Sequence, residues 1–211
     1  MNDELPIKNI FKAYDIRGIV GSELTSPTVK KIGQAIGTMA LSQMQKTICV
    51  GYDGRLSSPS LSTTLIDGLL STGINVIDIG LCTTPMLYFS NFYQETGTGV
   101  MITGSHNPPE YNGFKMVIKG KTLTSDDIQN LYQIILDSNY LNGEGDKKSL
   151  SIKSQYLHEI SNSIELKRPM KVAIDCGNGA AGVCAEELFK KLGVETEPLF
   201  CDVDGNFPNH H

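Results

Sequence analysis

The sequence predicts an α/β protein: a three-layer α/β/α domain with a mostly parallel mixed sheet over residues 1–150, followed by an incomplete second α/β domain over residues 151–211. Three observations carry this. Between residues 46 and 118 short β-type runs alternate with helical segments, the rhythm of β-α-β units. The helices open on Ser/Thr-Pro, an N-cap followed by a proline whose missing N–H is not needed in a first turn. A polar, charged and glycine-containing stretch, NYLNGEGDKKSLS, then precedes a fresh strand-helix-strand pattern, as a domain boundary should.

The elements follow in chain order. SPTVKKIGQAIGTMALSQM places Val29, Ile32, Ile36 and Met39 at helical spacing, with Gly33, Gly37 and Ala40 small enough for close packing. KTICVGYD is a strand, SSPSLSTTLIDGLLSTG a helix ending at Gly73, INVIDIG a strand, TTPMLYFSNFYQ a helix and TGVMIT a strand. GFKMVIKG alternates Phe114, Met116 and Ile118 with Lys115, Val117 and Lys119, and TSDDIQNLYQIILDS is a capped, apolar-periodic helix. Beyond the polar stretch come a connecting helix in SIKSQYLHEISNSIEL, a strand in MKVAID, a helix in AAGVCAEELFKKLG and a strand in VETEPLF. Two strands leave open sheet edges, so the second unit reads as part of a longer domain and the chain as truncated.

Composition narrows the function classes. The net charge of -5 argues against broad contact with nucleic acid, which needs clustered Lys and Arg to neutralise phosphates. The opening MNDELPIKNIFKAYD has no apolar signal core, and no apolar run is long enough for a bilayer, so neither a membrane nor an exported location is expected and the chain is placed in the cytoplasm. The five cysteines are odd in number and widely spaced without any C-x-x-C, which reads as reduced thiols.

The most informative stretch is TGSHNPPEYNGFK. Ser105 follows an apolar strand and so belongs at the carboxyl edge where open α/β sheets bind ligands. His106 is adjacent, but successive side chains diverge unless the loop turns sharply. The hydrolase elbow G-x-S-x-G is absent, and Pro108 and Pro109 stiffen the loop instead of starting a helix. A serine that carries a phosphoryl group needs cations and backbone N–H groups around a dianion. Lys115, just past an expected Asn112-Gly113 turn, and Arg17, in FKAYDIRG, supply charge, though either alone reads more readily as a solvated surface cation. Asp53, Gly54 and Arg55 in GYDGRLSSPS follow a neighbouring strand and could frame the same cleft, with Arg55 secondary.

DCGNGAAG satisfies the dinucleotide pattern G-x-G-x-x-G with Gly177, Gly179 and Gly182, follows a strand and precedes a helix. It keeps a second reading open, a dinucleotide-dependent oxidoreductase. A third is a non-catalytic phosphosugar-binding chain. DVDGN places its glycine too early for an EF-hand, and the adjacent His210 and His211 cannot share a helix face as zinc ligands.

TGSHNPPEYNGFKM resembles the phosphoserine loop of the α-D-phosphohexomutases, in the phosphomannomutase/phosphoglucomutase branch. FKAYDIRGIVG, GYDGRLSSPS, DCGNGAAG and DVDGNFPNHH resemble that family's other markers in the same order, and the terminal histidines are part of the last. Gly104 also resembles this branch, since alanine would be expected in the phosphoglucosamine branch. The resemblance implies a phosphoenzyme that interconverts hexose 1-phosphate and hexose 6-phosphate, of mannose or glucose, through a hexose 1,6-bisphosphate. It assigns Ser105 as phosphoryl carrier and, through its phosphate, as a ligand of Mg²⁺. Arg17 and Lys115 would bind substrate and stabilise phosphoryl charge or assist proton transfer, His106 would lie beside the reacting groups, and Tyr14 would shape the cleft. The family's aspartate-rich Mg²⁺ loop, sugar-recognition loop and phosphate-docking loop have no counterpart in these 211 residues, so the chain alone is expected to show little or no mutase turnover.

Overall fold

A computed structural model describes residues 5–209. His210 and His211, named above, lie outside them. After a single 3-10 turn at Lys8–Ile10 the chain forms β1 (Ile16–Ile19), α1 (Ser26–Ser42), β2 (Thr47–Tyr52), α2 (Ser58–Leu70), β3 (Asn75–Leu81), α3 (Thr84–Tyr93), β4 (Gly99–Ile102), β5 (Tyr111–Ile118), β6 (Lys121–Thr122), α4 (Ser125–Leu136) and β7 (Lys147–Ser149). The second unit comprises α5 (Lys153–Ser163), β8 (Lys171–Asp175), a 3-10 turn at Ala180–Val183, α6 (Ala185–Lys191) and β9 (Glu195–Leu199). No helix among the described residues is long and apolar enough to cross a membrane.

The first sheet is ordered β1-β5-β4-β2-β3-β7, with β6 on β5. β2, β3, β4 and β7 pair in parallel, while β5 is antiparallel to β1, β4 and β6. Six strands therefore run one way and only β5 reverses. Strand alternation divides the core between two faces. Ile48, Val50, Val76, Val100, Ile102, Phe114 and Met116 point into one cluster with α1, α2 and α4, whereas Cys49, Ile77 and Met101 point into another with α3 and α5. Helices on both faces make the three-layer sandwich. β8 and β9 form a separate parallel pair, joined to the first unit by Cys184 and Leu157 in the second cluster and by the edge-to-face packing of Tyr156 on Phe89.

Local chemistry sets the helix starts. Thr25 and Thr83 accept from the backbone N–H of Thr28 and Met86, and Thr124 with Asp127 forms a capping box. α1 and α2 cross at glycines. A Cβ on Gly33 would stand 2.4 Å from the Leu65 carbonyl oxygen, and one on Gly68 2.3 Å from that of Lys30. Both contacts are to backbone, so no rotamer relieves them. Gly68→Ala is expected to destabilise the chain by about 1–3 kcal/mol through overpacking, outweighing alanine's roughly 1 kcal/mol helix preference. Equilibrium urea unfolding checks this, and an unchanged or raised midpoint would contradict so close a crossing.

Three details differ from the sequence reading. Asn112-Gly113 is not a turn but lies inside β5, opposite Gly18 and Arg17 of β1, and the chain turns earlier, where Tyr111 N–H donates to the Pro108 carbonyl. Glycine is required there by space, because a Cβ at Gly113 would sit 2.2 Å from the Ile16 carbonyl oxygen and 2.9 Å from Arg17 Nε. The polar stretch before residue 151 contains β7, an all-exposed edge strand held to β3 by its backbone and by a 2.9 Å Lys147–Asp78 ion pair. The segment after Gly179, expected as one helix, is a 3-10 turn and a short α6.

Candidate active site

Ser105 stands three residues beyond the end of β4, exposed, with a φ of +54°. That left-handed conformation is uncommon for a non-glycine residue and is the sharp turn the Ser-His pair needed. It brings Ser105 Oγ to 3.3 Å from His106 Nδ1. Ser105 N–H donates to Thr103 Oγ1 at 2.8 Å, and Asn107 N–H donates to the Gly104 carbonyl at 3.1 Å.

The loop is held mainly by Arg55, a residue the sequence reading ranked as secondary. Its guanidinium is almost wholly buried and donates to four loop carbonyls: Nη1 to Pro108 at 2.7 Å and Tyr111 at 3.1 Å, Nη2 to Ser105 at 2.9 Å and Asn107 at 2.6 Å. A loop with two successive prolines lacks the N–H groups to satisfy its own carbonyls, and the planar five-donor guanidinium replaces them. Asp53 completes the frame. Its Oδ2 accepts from Gly104 N–H at 3.1 Å and lies 3.4 Å from Arg55 Nε, while Oδ1 accepts from Arg55 N–H and from Ser58 Oγ at 2.6 Å. Burial pulls the Arg55 guanidinium below its ordinary range; Asp53 opposes that shift and nearby Arg17 adds to it.

Arg17 is brought to the same loop. From β1, Nη1 donates to the Gly104 carbonyl and Nη2 to Asp15 Oδ2 at 2.6 Å. Asn112, fully buried on β5, donates to Ser57 and Ser58 Oγ at 2.9 Å each, tying the start of α2 to the loop's far end. Lys115 is half-buried on β5 opposite Met101, and no hydrogen bond or ion pair with a described residue ties it to the loop. Tyr14 is exposed.

Gly104 is demanded by this packing, since a Cβ there would lie 2.1 Å from Arg55 Cζ and Nε. The guanidinium cannot swing aside without releasing its four carbonyls. Gly104→Ala is therefore expected to cost about 1–3 kcal/mol of stability and to displace the serine, which thermal unfolding together with a crystal structure of the variant would check. An unmoved loop at wild-type stability would contradict the account.

The second unit closes the site from one side. Phe207 lies with its ring centroid 5.4 Å from Arg55 Cζ, a cation–π contact, and a cavity of about 360 Å³ is lined by Phe207, Arg55 and residues 105–109. A second cavity of about 240 Å³ lies between Ser105, Asp53, Thr83 and the run Gly179–Ala181. The G-x-G-x-x-G run thus lines the space beside the serine. It leads into a four-residue 3-10 turn, so it lacks the α-helix N-terminus on which a pyrophosphate would rest.

Comparison with known proteins identifies the family. The family model "Phosphoglucomutase/phosphomannomutase, alpha/beta/alpha domain I" matches residues 8–141, and the corresponding domain II model matches residues 154–211. The chain belongs to the phosphoglucomutase/phosphomannomutase family. It is 48% identical over 203 residues to a phosphomannomutase/phosphoglucomutase of Pseudomonas aeruginosa, covering 96% of this chain and 44% of that protein. It is likewise 48% identical over 206 residues to a phosphoglucomutase of Neisseria meningitidis, covering 97% of this chain and 45% of the relative. A crystal structure of a phosphoglucomutase/phosphomannomutase family protein from Burkholderia thailandensis superposes with a TM-score of 0.94 at 43% identity, over 98% of this chain and 47% of that one. The chain thus spans about half the length of the relatives it matches. As a phosphohexomutase-family chain it carries the family's first α/β/α domain with Ser105 at the carboxyl edge of the sheet.

Proposed function

We propose that this chain carries the phosphoryl-transfer serine of a phosphohexomutase that interconverts the 1- and 6-phosphates of mannose or glucose. The observation that carries the proposal is the exposed Ser105 hydroxyl on a loop whose backbone is fixed by Asp53, Arg55 and Arg17. Phosphoryl transfer asks for positioning and electrostatic stabilisation more than for an activated nucleophile, which a rigid loop in a cationic frame supplies. Residues 1–150 would act as the domain that presents the serine, and residues 151–211 as part of a second domain that buttresses it through Phe207.

In this reading Ser105 holds a phosphoryl group on Oγ and gives it to a hydroxyl of the bound hexose monophosphate. The Oγ–P bond breaks as the sugar O–P bond forms, and a hexose 1,6-bisphosphate results. After the bisphosphate reorients, Ser105 takes back the other phosphoryl group, so the sugar is isomerised and the enzyme restored. Arg17 and Arg55 already face Asp15 and Asp53. Lys115, which has no ion pair with a described residue, and Arg17, already on the Gly104 carbonyl of the serine loop, would bind the substrate phosphate or help move the hydroxyl proton, His106 would lie beside the reacting groups, and Tyr14 would line the cleft.

Mg²⁺, when bound, would neutralise phosphoryl charge. The phosphate on Ser105 is the ligand this chain could contribute. The nearby carboxylates Asp15 and Asp53 are committed to arginines, and among the described residues no group of three His, Cys, Asp or Glu could hold a metal. The residues present do not form a metal site by themselves.

A donor assay tests the reading. Chain that carries phosphate on Ser105 is mixed with glucose 1-phosphate or mannose 1-phosphate in Mg²⁺ buffer, alone and within the full-length protein, and hexose 1,6-bisphosphate is measured. Its formation, matched by loss of protein phosphate, is expected from the full-length protein. A full-length phosphoprotein that transfers nothing to either sugar would overturn the proposal.

A further inference from the structure

Outside the serine loop, two sulfur atoms meet. Cys176 follows β8 and Cys201 follows β9, 25 residues apart in the chain, and their Sγ atoms lie 3.2 Å apart. Adjacent parallel strands set the spacing, because Cys176 N–H donates to the Leu199 carbonyl at 3.0 Å as the next rung of the β8–β9 ladder. The Cys201 sulfur also approaches the Ile174 and Leu199 carbonyl oxygens at 3.6 and 3.5 Å. Both residues are partly solvent-accessible, whereas Cys49, Cys82 and Cys184 are buried.

We propose that Cys176 and Cys201 are a reversible redox site, closed to a disulfide by a peroxide. Bond formation needs the sulfurs to move from 3.2 Å to about 2.05 Å. Burial first, then the hydrogen bond and charge of Cys201, push the Cys176 thiol up to about 12. One of the two sulfurs, as thiolate, attacks a peroxide oxygen and becomes a sulfenic acid as hydroxide leaves. The other sulfur then displaces hydroxide from that sulfenic sulfur, losing its proton. Two thiols and one hydrogen peroxide give one disulfide and two waters.

The bond would fasten together two segments that are already interlocked. Asn178 N–H donates to the Phe200 carbonyl at 2.8 Å, Asn178 Nδ2 to the Asp202 carbonyl at 2.9 Å, and Asp204 N–H to the Asn178 carbonyl at 2.9 Å. These segments carry Gly179 and Phe207 into the cavities beside Ser105. A closed loop of this length should raise the unfolding temperature by several degrees, roughly 5–10 °C.

The test exposes the native chain to hydrogen peroxide, alkylates the remaining thiols and maps peptides without reduction. The expected result is a peptide pair joined through Cys176 and Cys201, the other three cysteines alkylated, the chain lighter by two hydrogens and the change reversed by dithiothreitol. In Cys176→Ser or Cys201→Ser, where the second sulfur is missing, dimedone should trap a sulfenic acid on the remaining cysteine of the pair in at least one of the two variants. Alkylation of both residues after peroxide, pairing of either with another cysteine, or no dimedone adduct in either variant would overturn the assignment.

Discussion

Ser105→Ala is expected to abolish phosphoryl incorporation from a hexose 1,6-bisphosphate, by a factor of at least about 10³, while leaving the fold intact. The side chain is exposed and, among the described residues, its hydrogen-bonding contact is His106 Nδ1, so stability should change by no more than about 0.5 kcal/mol. Ser105→Thr sharpens the point. It keeps a hydroxyl but puts a β-branched side chain at a φ of +54°, where a non-glycine residue already pays about 1–2 kcal/mol. Threonine should therefore accept phosphate more slowly than serine, and the ratio measures how far the reaction depends on this backbone shape. Alanine protein that takes up phosphate at the wild-type rate would move the chemistry elsewhere.

Arg55→Met should have the second largest effect, and of a different kind. Methionine fills much of the volume but removes all four hydrogen bonds to the serine loop and leaves Asp53 without its guanidinium. Breaking a buried pair typically costs about 3–5 kcal/mol, because the remaining charge stays buried. Loss of loop position should also slow phosphoryl transfer by about 100-fold, the scale expected for an ångström of misplacement at a reacting group. Arg55→Lys should fall between, since an ammonium cannot span four carbonyls in a plane. Rate and stability measured on both variants separate the two effects. A methionine variant as stable and as fast as wild type would mean that the carbonyls hold the loop without Arg55.

The fold was legible where side chains speak for themselves. The alternation of Phe114, Met116 and Ile118 with Lys115, Val117 and Lys119 is a period-2 pattern that survives into the structure as a core-facing row of β5. The Ser-Pro and Thr-Pro pairs marked where helices begin, although the caps are Thr25 and Thr83, one residue before the serine or threonine that adjoins the proline. Strands made by backbone alone were silent. β1 is four residues holding an arginine and a glycine, and it exists because β5, almost a hundred residues later, offers a partner. β7 is Lys-Lys-Ser, with no apolar face to betray it.

The site shows the same division. The serine and the histidine stood out by residue type and position, whereas Arg17 alone read as a solvated cation and was assigned to the site by the family resemblance. Arg55 was undervalued because it binds carbonyl oxygens, which every residue has and no sequence pattern marks. The available signal was the loop itself: Pro108 and Pro109 bring acceptors without donors, so a buried donor had to come from outside, and Asp-Gly-Arg after β2 was placed to provide it. Asn112-Gly113 misled for the converse reason, since its glycine serves close packing against Arg17 and not a turn. Phe207 was unreadable because its role depends on the second unit folding back over Arg55.

The central claim is that Ser105 is the phosphoryl carrier, and mapping phosphate on the chain tests it most directly. The protein is analysed as purified and after incubation with glucose 1,6-bisphosphate and Mg²⁺, by mass spectrometry of its peptides. The account predicts phosphate on the peptide that contains Ser105, assigned to that residue and absent from Ser105→Ala. Phosphate confined to another residue, or none on Ser105 in the full-length protein under the same conditions, would contradict it.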